Sequence, residues 1–446
     1  MRADLNSVDY RTDPVAALEE CLERVAKRES VIAAFAALAV EPARAAARRS
    51  ADRRRQGEPL SAIDGMVIGI KDVIETADMP TGQGSPMWEG FESGRDGAAV
   101  AALREAGAII LGKCTTAEFA FTEPRHSTRN PHDLTRTPGG SSSGSAAAVA
   151  AGFVHAAIGT QVVGSTLRPA SYCGCYGFKP TLGALNRSGS YDHLSQSCLG
   201  VFTTNVAEIV AIATAISASV GGDPGSYGFP APAPHPRPVK PERLAVLRPG
   251  GWSGLSRGAA MAFEAACRRL VHAGVRLVWA EEDPGLAEFE EQLSDVRERT
   301  FALLDWELRW PLKAYRRTAK DKLSEALLAR LSGCEAHMTL GDYHALLDWR
   351  GQLRAAYDSR AGQFDAFILP AATGAAPQGF GWTGDPAMNI PASTLGAPAI
   401  SLPLLMDEGL PLGLQLVGWR SEDLRLLNHA TWIVEEFAKP DRSPLG

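Results

Sequence analysis

Six consecutive residues, Gly139-Gly140-Ser141-Ser142-Ser143-Gly144, place three hydroxyls between glycines. A serine hydroxyl becomes a nucleophile only when a neighbouring group takes its proton. Read as G-x-S-x-G, Gly140 to Gly144 makes Ser142 the nucleophile of an α/β-hydrolase elbow. That elbow needs a strand directly before the serine. Arg136-Thr137-Pro138-Gly139 cannot be a central strand, because proline donates no ladder hydrogen bond. The triad also needs a downstream histidine, and His429 falls inside a predicted helix. A second serine, Ser165, closes Gly159-Thr160-Gln161-Val162-Val163-Gly164-Ser165. This segment follows a predicted strand, and backbone N–H groups in a tight turn can form a nest for an anion. Lys71 ends a short apolar run. A lysine is costly to bury unless it is paired or neutral; taken alone, Lys71 reads as a surface lysine paired with Asp72.

Such residues need rigid elements behind them. Met66-Val67-Ile68-Gly69-Ile70 is β-branched, apolar and preceded by Gly65, and it reads as a buried strand delivering Lys71. Gly144 to Ala151, almost bare of side chain, is predicted as a helix, and Ala156 to Thr160 as a strand. Asp13-Pro14 opens an amphipathic helix, with a capping carboxylate before a proline. Residues 42–55 form a second helix whose arginine-rich face reads as solvated. Residues 96–106 are predicted helical with Gly107 as the C-cap, and 108–111 as a strand. Later strands are expected at 244–247, 364–369, 399–404 and 413–417. Residues 288–360 are mostly helical, and a helix over 424–437 follows. This alternation predicts an α/β sheet sandwiched by helices. The proline-rich stretch 224–241 reads as a stiff surface connection. No internal repeat is evident.

The 446 residues, 45% hydrophobic and 22% charged, describe a globular chain able to bury a large core. A net charge of −6 gives no electrostatic pull toward nucleic acid or an anionic membrane. No apolar run is long enough to span a bilayer. The first residues, MRADLNSVDYRTDP, are polar and do not resemble a secretory leader. The seven cysteines form no paired C-x-x-C motif. Cys173 and Cys175 have no evident further ligands, so they read as buried thiols of a cytoplasmic protein rather than a metal site.

The residues that follow Ser165, Thr166-Leu167-Arg168-Pro169-Ala170-Ser171, complete a pattern. A glycine–serine-rich signature, a serine twenty-four residues after Ser141, and an upstream Gly69-Ile70-Lys71-Asp72 resemble the amidase-signature family. The wording is most similar to malonamidase-type members. The resemblance covers nearly the whole chain, through Gly384-Asp385-Pro386, Asn389-Ile390-Pro391, Leu395-Gly396-Ala397-Pro398 and Pro411 to Gly418.

The resemblance implies one amidase-signature domain over 1–446, built on a central twisted mixed sheet covered on both faces by helices. It places a catalytic core segment at 61–200 and a helical insertion or cap at 285–360. It implies Ser165 as nucleophile, Ser141 as a bridging serine after a cis peptide bond, and Lys71 as base. It puts an oxyanion hole at the backbone N–H groups of Val162, Val163, Gly164 and Ser165. Without histidine, a lysine made neutral by burial can take a serine proton. Ser142 and Ser143 are then expected to hold the loop, and the bare helix lets it lie close to the sheet. Val163 departs from the small residue common in the family. A β-branched residue suits positive φ poorly, so either the turn keeps Val163 extended or the hole is altered. Gln161 stands where many members carry aspartate. Arg168 matches an arginine that binds a substrate carboxylate in malonamidase, and reads here first as a tie between loops.

Met87, Trp88, Tyr191, His193 and Trp382, together with Arg168, are the candidates for substrate contact. Their aromatic character suits a small or aryl acyl group. The expected activity is amide hydrolysis through an acyl-enzyme, with esters and carbamates passing through the same oxyanion. The alternatives are a glutaminase-type component of a tRNA-dependent amidotransferase, which needs partner subunits, and a non-enzymatic relative. The expected partner is a small-molecule amide, with neither nucleic acid nor membrane. A homodimer is usual among close relatives. No cofactor or metal is implied.

Overall fold

The computed structural model describes residues 7–121, 124–230 and 235–440. The first six residues of the expected non-leader segment, and 231–234 of the proline-rich connection, lie outside them. Eleven strands form a single mixed sheet: β1 (Phe35–Leu38), β2 (Val67–Lys71), β3 (Ile109–Cys114), β4 (Ala156–Gln161), β5 (Tyr176–Lys179), β6 (Cys198–Thr203), β7 (Arg243–Val246), β8 (Arg276–Val278), β9 (Ala366–Pro370), β10 (Ala399–Asp407) and β11 (Leu410–Val417). Their spatial order is β1-β3-β2-β4-β6-β5-β10-β11-β9-β7-β8. Strand β2 runs parallel to both β3 and β4, while β5 joins the two halves by antiparallel pairing with β6 and β10.

Alternate residues of one strand point to opposite faces, and here both faces are dry. Ile68, Ile70 and Ile158 enter one apolar cluster with Val100 and Ile209, while Val67, Ala157 and Ile109 enter another with Leu18 and Ala147. Toward the other end of the sheet, Ala245 and Phe367 pack against Phe289, Leu303 and Tyr357. Helices therefore cover both sides. They are α1 (Pro14–Ile32), α2 (Val40–Gln56), α3 (Ala98–Glu105), α4 (Ser143–Ala150), α5 (Leu167–Cys173), α6 (Val206–Val220) and α7 (Arg257–His272). The remainder are α8 (Pro284–Gln292), α9 (Val296–Ala319), α10 (Glu325–His337), α11 (Leu340–Asp358), α12 (Ile390–Thr394) and α13 (Asp423–Ala438).

Several elements were not expected from the sequence. Strands β1, β5, β6 and β8 are three to six residues long. Helices α5, α6, α7 and α12 likewise stand where the sequence predicts no helix. The arginine-rich face of α2 is not merely solvated, because Arg53 Nη2 pairs with buried Asp64 at 2.7 Å. No helix among the described residues is long and apolar enough to cross a membrane. All seven cysteines are free and buried.

The bare helix α4 has a steric reason. A Cβ placed on Gly144 would stand 2.2 Å from Ala34 O and 2.4 Å from Thr115 N, both backbone atoms that cannot yield cheaply. Its alanines pack into the cluster beneath β2, β3 and β4. Gly144→Ala is expected to lower stability by roughly 1–3 kcal/mol, as overpacking does. Urea unfolding of the two proteins checks this, and an unchanged midpoint would refute the close packing.

Candidate active site

Strand β2 ends with the Lys71 side chain fully buried. Its Nζ lies 2.8 Å from Ser141 Oγ and 2.7 Å from Thr160 Oγ1. Burial is the dominant influence and brings the amine down to about 7, against a smaller upward pull from the Asp192 carboxylate. A lysine in that state exchanges a proton with a hydroxyl near neutral pH. It is not the surface lysine that its local sequence suggests. Asp72 turns instead to Lys113, whose Nζ lies 3.3 Å from Asp72 Oδ1.

The three serines divide their work. Ser141 faces Lys71, and the Gly140–Ser141 peptide bond is cis. Ser142 Oγ donates to Thr160 O at 3.2 Å, fastening the loop to β4. Ser143 Oγ donates to Gly139 O at 2.7 Å and closes the loop on itself. Ser142 N donates to Ser165 O at 3.4 Å, which ties the first serine loop to the second.

The turn between β4 and α5 is built around its carbonyls. Val162 O accepts from Gln196 Nε2 at 2.8 Å, and Val163 O accepts from Ser393 Oγ at 2.7 Å. Gly164 O accepts from Arg168 N at 3.1 Å. In a trans peptide the following N–H points opposite to the carbonyl. Each anchored carbonyl thus aims the N–H of Val163, Gly164 or Ser165 the other way. The N–H groups of Val162, Val163, Gly164 and Ser165 donate to no other described residue. Val163 is not among the non-glycine residues with positive φ, so its β-branch meets no conformational obstacle. Its side chain sits in an apolar cluster with Val162, Leu167 and Leu194. Gln161 Oε1 accepts from Thr166 N and Leu167 N at 2.8 and 3.0 Å, capping the start of α5.

Ser141, Val162, Val163, Gly164, Ser165, Arg168 and Trp382 line one cleft of about 330 Å³. Its outer wall is Phe121, Phe301, Arg297 and Arg330, the last three from α9 and α10. Arg330 lies over the Phe121 ring at 4.5 Å and bonds Asp305, and Arg297 pairs with Asp385 at 2.6 Å. Arg168 is buried; its Nη2 donates to Gly140 O at 2.7 Å and its Nε to Thr383 O at 2.7 Å. It does tie loops together, while its Nη1 has no partner among the described residues.

The other sequence candidates lie elsewhere. Trp88 packs against Tyr191 and Tyr315, with ring centroids 5.7 and 6.0 Å away, beside Met87 in a short turn. Tyr191 donates to Glu75 at 2.8 Å, and His193 lines a separate groove. Met87, Trp88, Tyr191 and His193 do not line the cleft. Sequence reasoning passed over Thr160, Gln196 and Ser393. Thr160 sits in the quoted Gly159-Thr160-Gln161 segment and was within reach; the two anchors come from distant segments with no spacing signal. Among the described residues, no group of three or more His, Cys, Asp or Glu side chains is placed to hold a metal ion.

Comparison with known proteins gives the family and the fold. The family model named Amidase matches residues 16–427. A glutamyl-tRNA(Gln) amidotransferase subunit from Chloroflexus aggregans is 32% identical over 451 aligned positions, covering 92% of this chain and 90% of that protein. The native peptide amidase from Stenotrophomonas maltophilia superposes with a TM-score of 0.80 at 25% identity, covering 98% of this chain and 97% of that one. A structure described as a vestigial complex that reveals the origins of an s-triazine catabolic enzyme superposes with a TM-score of 0.82 at 27% identity. It covers 96% of this chain and 95% of its own.

Proposed function

The chain belongs to the amidase family and is a hydrolase of carbon–nitrogen bonds, and from that premise we propose that it cleaves a carboxamide through an acyl-enzyme on Ser165. The observation that carries the residue roles is the buried Lys71 within 2.8 Å of Ser141, at the edge of a cleft shared with Ser165. Neutral Lys71 takes the Ser141 proton as Ser141 takes that of Ser165. Ser165 Oγ attacks the carbonyl carbon, and the oxyanion is held by the N–H groups of Val162, Val163, Gly164 and Ser165. Lys71 returns the proton through Ser141 to the departing nitrogen, and the C–N bond breaks. Water then enters and attacks the acyl carbon as its proton passes through Ser141 to Lys71; the bond from Ser165 Oγ to the acyl carbon breaks, the proton returns to Ser165 Oγ by the same path, and the acid leaves.

Two settings use this chemistry. Relatives named as glutamyl-tRNA(Gln) amidotransferase subunits support an ammonia-supplying role within a complex, the reading held above as the alternative, over a free-standing amidase. In that setting the substrate is glutamine and the chain works with partner subunits, so its partners are not small molecules alone. The lining of the cleft supports the second setting. It offers Arg168, Arg297 and Arg330, which suit the carboxylate of free glutamine, but no carboxylate among the described residues to receive its ammonium group. Esters and carbamates remain within reach of the same oxyanion site.

The test measures ammonia release from glutamine, and amine release from aryl and alkyl amides, by the purified chain alone. Turnover of simple amides with glutamine untouched supports the free-standing setting. Glutaminase activity, or activity only after partner proteins are supplied, supports the complex. No hydrolysis in either condition, and no adduct on Ser165 with a small sulfonyl fluoride, would sink the enzyme roles proposed for these residues.

A further inference from the structure

Outside the cleft, near Lys71, lies a buried carboxylate that the steps above leave unused. Asp192 is 6% exposed. Ser197 Oγ donates to its Oδ1, and its Oδ2 has no partner among the described residues. A carboxylate oxygen left unpaired in the interior is costly unless a positive charge is near.

Contacts on both sides of Asp192 hold its loop against the segments that flank Lys71 and Thr160. Just before it, Ser190 bridges to Ile74, and Tyr191 N donates to Val73 O at 2.8 Å. The chain entering Asp192 thus runs along the segment that leaves Lys71. At the far end of the loop, Cys198 pairs with Gln161 and Leu199 with Thr160 across β6 and β4. Thr160 is the residue whose hydroxyl holds Lys71 Nζ. The loop 190–198 is fastened at its two ends to the two strand ends that grip the amine. Gln196 of the same loop anchors Val162 O.

The other charged or titratable groups in this region are occupied or neutral: Arg187, whose Nη1 donates to Asp192 O at 3.2 Å, pairs through Nε with Asp223 at 2.9 Å, and Glu75, which accepts from Tyr191, pairs with Arg95 at 2.7 Å. Asp72 pairs with Lys113. Lys179 donates to Pro180 O at 2.7 Å and lies 3.9 Å from Cys198 Sγ. Burial pushes the Cys114 and Cys198 thiols up, which keeps them protonated. Asp423 accepts from Thr181 N at 2.7 Å, and Arg168 is tied to Gly140 and Thr383. Asp192 makes no direct ion pair with Lys71; its carboxylate lies in the loop tethered to Val73 and to the end of β4, and its charge favours the ammonium form of the lysine.

We propose that Asp192 is an electrostatic positioning residue for Lys71, a buried carboxylate that balances the ammonium charge while the lysine carries the serine proton. The proposal rests on Lys71 acting as the base. The proton moves from Ser165 through Ser141 to Lys71 and back to the leaving nitrogen; Asp192 neither gains nor loses one. Without Asp192 the ammonium would form in a buried place with no counter-charge.

The test follows the rate of Ser165 sulfonylation by a small sulfonyl fluoride against pH, read by peptide mass spectrometry, which needs no amide substrate. In the wild type the rate rises through a pH of about 7. Asp192→Asn is expected to move this limb about one unit lower, since removing an opposite charge favours the neutral amine. The plateau falls several-fold because the base is weaker. Ser197→Ala, which removes the hydroxyl that holds Oδ1 and lets the carboxylate turn toward Arg187 in the groove that both line, moves the limb the same way by less. Asp192→Glu restores it. A merely structural role would lower the labelled fraction without moving the limb. An unmoved limb in folded Asp192→Asn overturns the proposal and leaves the roles of Ser165 and Lys71 standing; should that variant not fold, an unmoved limb in Ser197→Ala does the same. Wild-type labelling that is absent, or indifferent to Lys71→Met, overturns both the proposal and the reading beneath it.

Discussion

Ser165→Ala lowers kcat/KM for amide hydrolysis by on the order of 10⁴-fold or more, the scale seen when the nucleophile of a hydrolytic constellation is removed. Ser165 is 7% exposed and its side chain opens on the cleft, so truncating one hydroxyl creates little cavity and the fold should persist. What remains is the anion nest and the cleft, which alone give modest catalysis over water. Ser142→Ala is the informative control. Its hydroxyl bonds backbone atoms of Thr160, so its loss should cost stability and a modest part of the rate. Steady-state kinetics on both variants decide: abolished activity in Ser142→Ala with Ser165→Ala active would make Ser142 the nucleophile of an elbow and dismantle the present assignment.

The second large effect belongs to Lys71→Met, which keeps the volume and removes the amine. Activity is expected to fall by about 10³–10⁴-fold, within the range for loss of a general base in such a constellation. In the wild type only the neutral amine can accept a proton, so activity falls as pH drops below about 7. The variant's residual activity should lack that limb. Stability moves the other way. Between about 7 and the unfolded lysine's 10.5, the unfolded chain binds a proton that the folded chain does not. Stability contributed by this group therefore rises with pH across that window and is lowest at and below 7. Lys71→Met removes this dependence. The variant should melt no lower than the wild type at pH 7, with any advantage shrinking as the pH is raised toward 10. Thermal melts at the two pH values check the sign; a variant that is much less stable at pH 7 would mean that Lys71 is held as a charged structural ion.

The parts of the fold legible in the sequence are those whose signal is local. Strand β2 shows itself as Val67-Ile68-Gly69-Ile70, a β-branched run after a turn glycine, and α1 by Asp13-Pro14. Strand β6, Cys198-Leu199-Gly200-Val201-Phe202-Thr203, is buried on both faces and carries a glycine, so it has neither alternation nor clear punctuation. Gly200 is required because a Cβ there would meet Thr166 Oγ1 at 2.0 Å, a contact invisible in one dimension. Helix α6 was legible and went unread: Asn205 caps it by accepting from Glu208 N at 2.9 Å, ahead of a long apolar run. The site divides the same way. Lys71, Ser141 and Ser165 lie in short glycine-bearing phrases, and their wording carries the family resemblance. The substrate wall was missed because Phe301, Arg297 and Arg330 sit on helices whose charged and aromatic residues look like any surface. The aromatics singled out near Trp88 and Tyr191 found one another instead.

The anion nest draws on residues far apart in the chain: its strand and turn are complete by Ser165, the Gln196 anchor follows in the loop before β6, and the Ser393 anchor comes much later, in α12. Strand β5 likewise waits for β10, with Phe178 opposite Ile400. On the proposed assignment, a ribosome that has released Lys71, Ser141 and Ser165 has therefore made the reactive side chains but not the anchored turn that would hold the oxyanion. Hydrolytic power arrives only as the closing stretch of the polypeptide docks. On the proposed assignment, an N-terminal fragment that ends before Ser393 lacks the anchor of Val163 O and is expected to hydrolyse no amide.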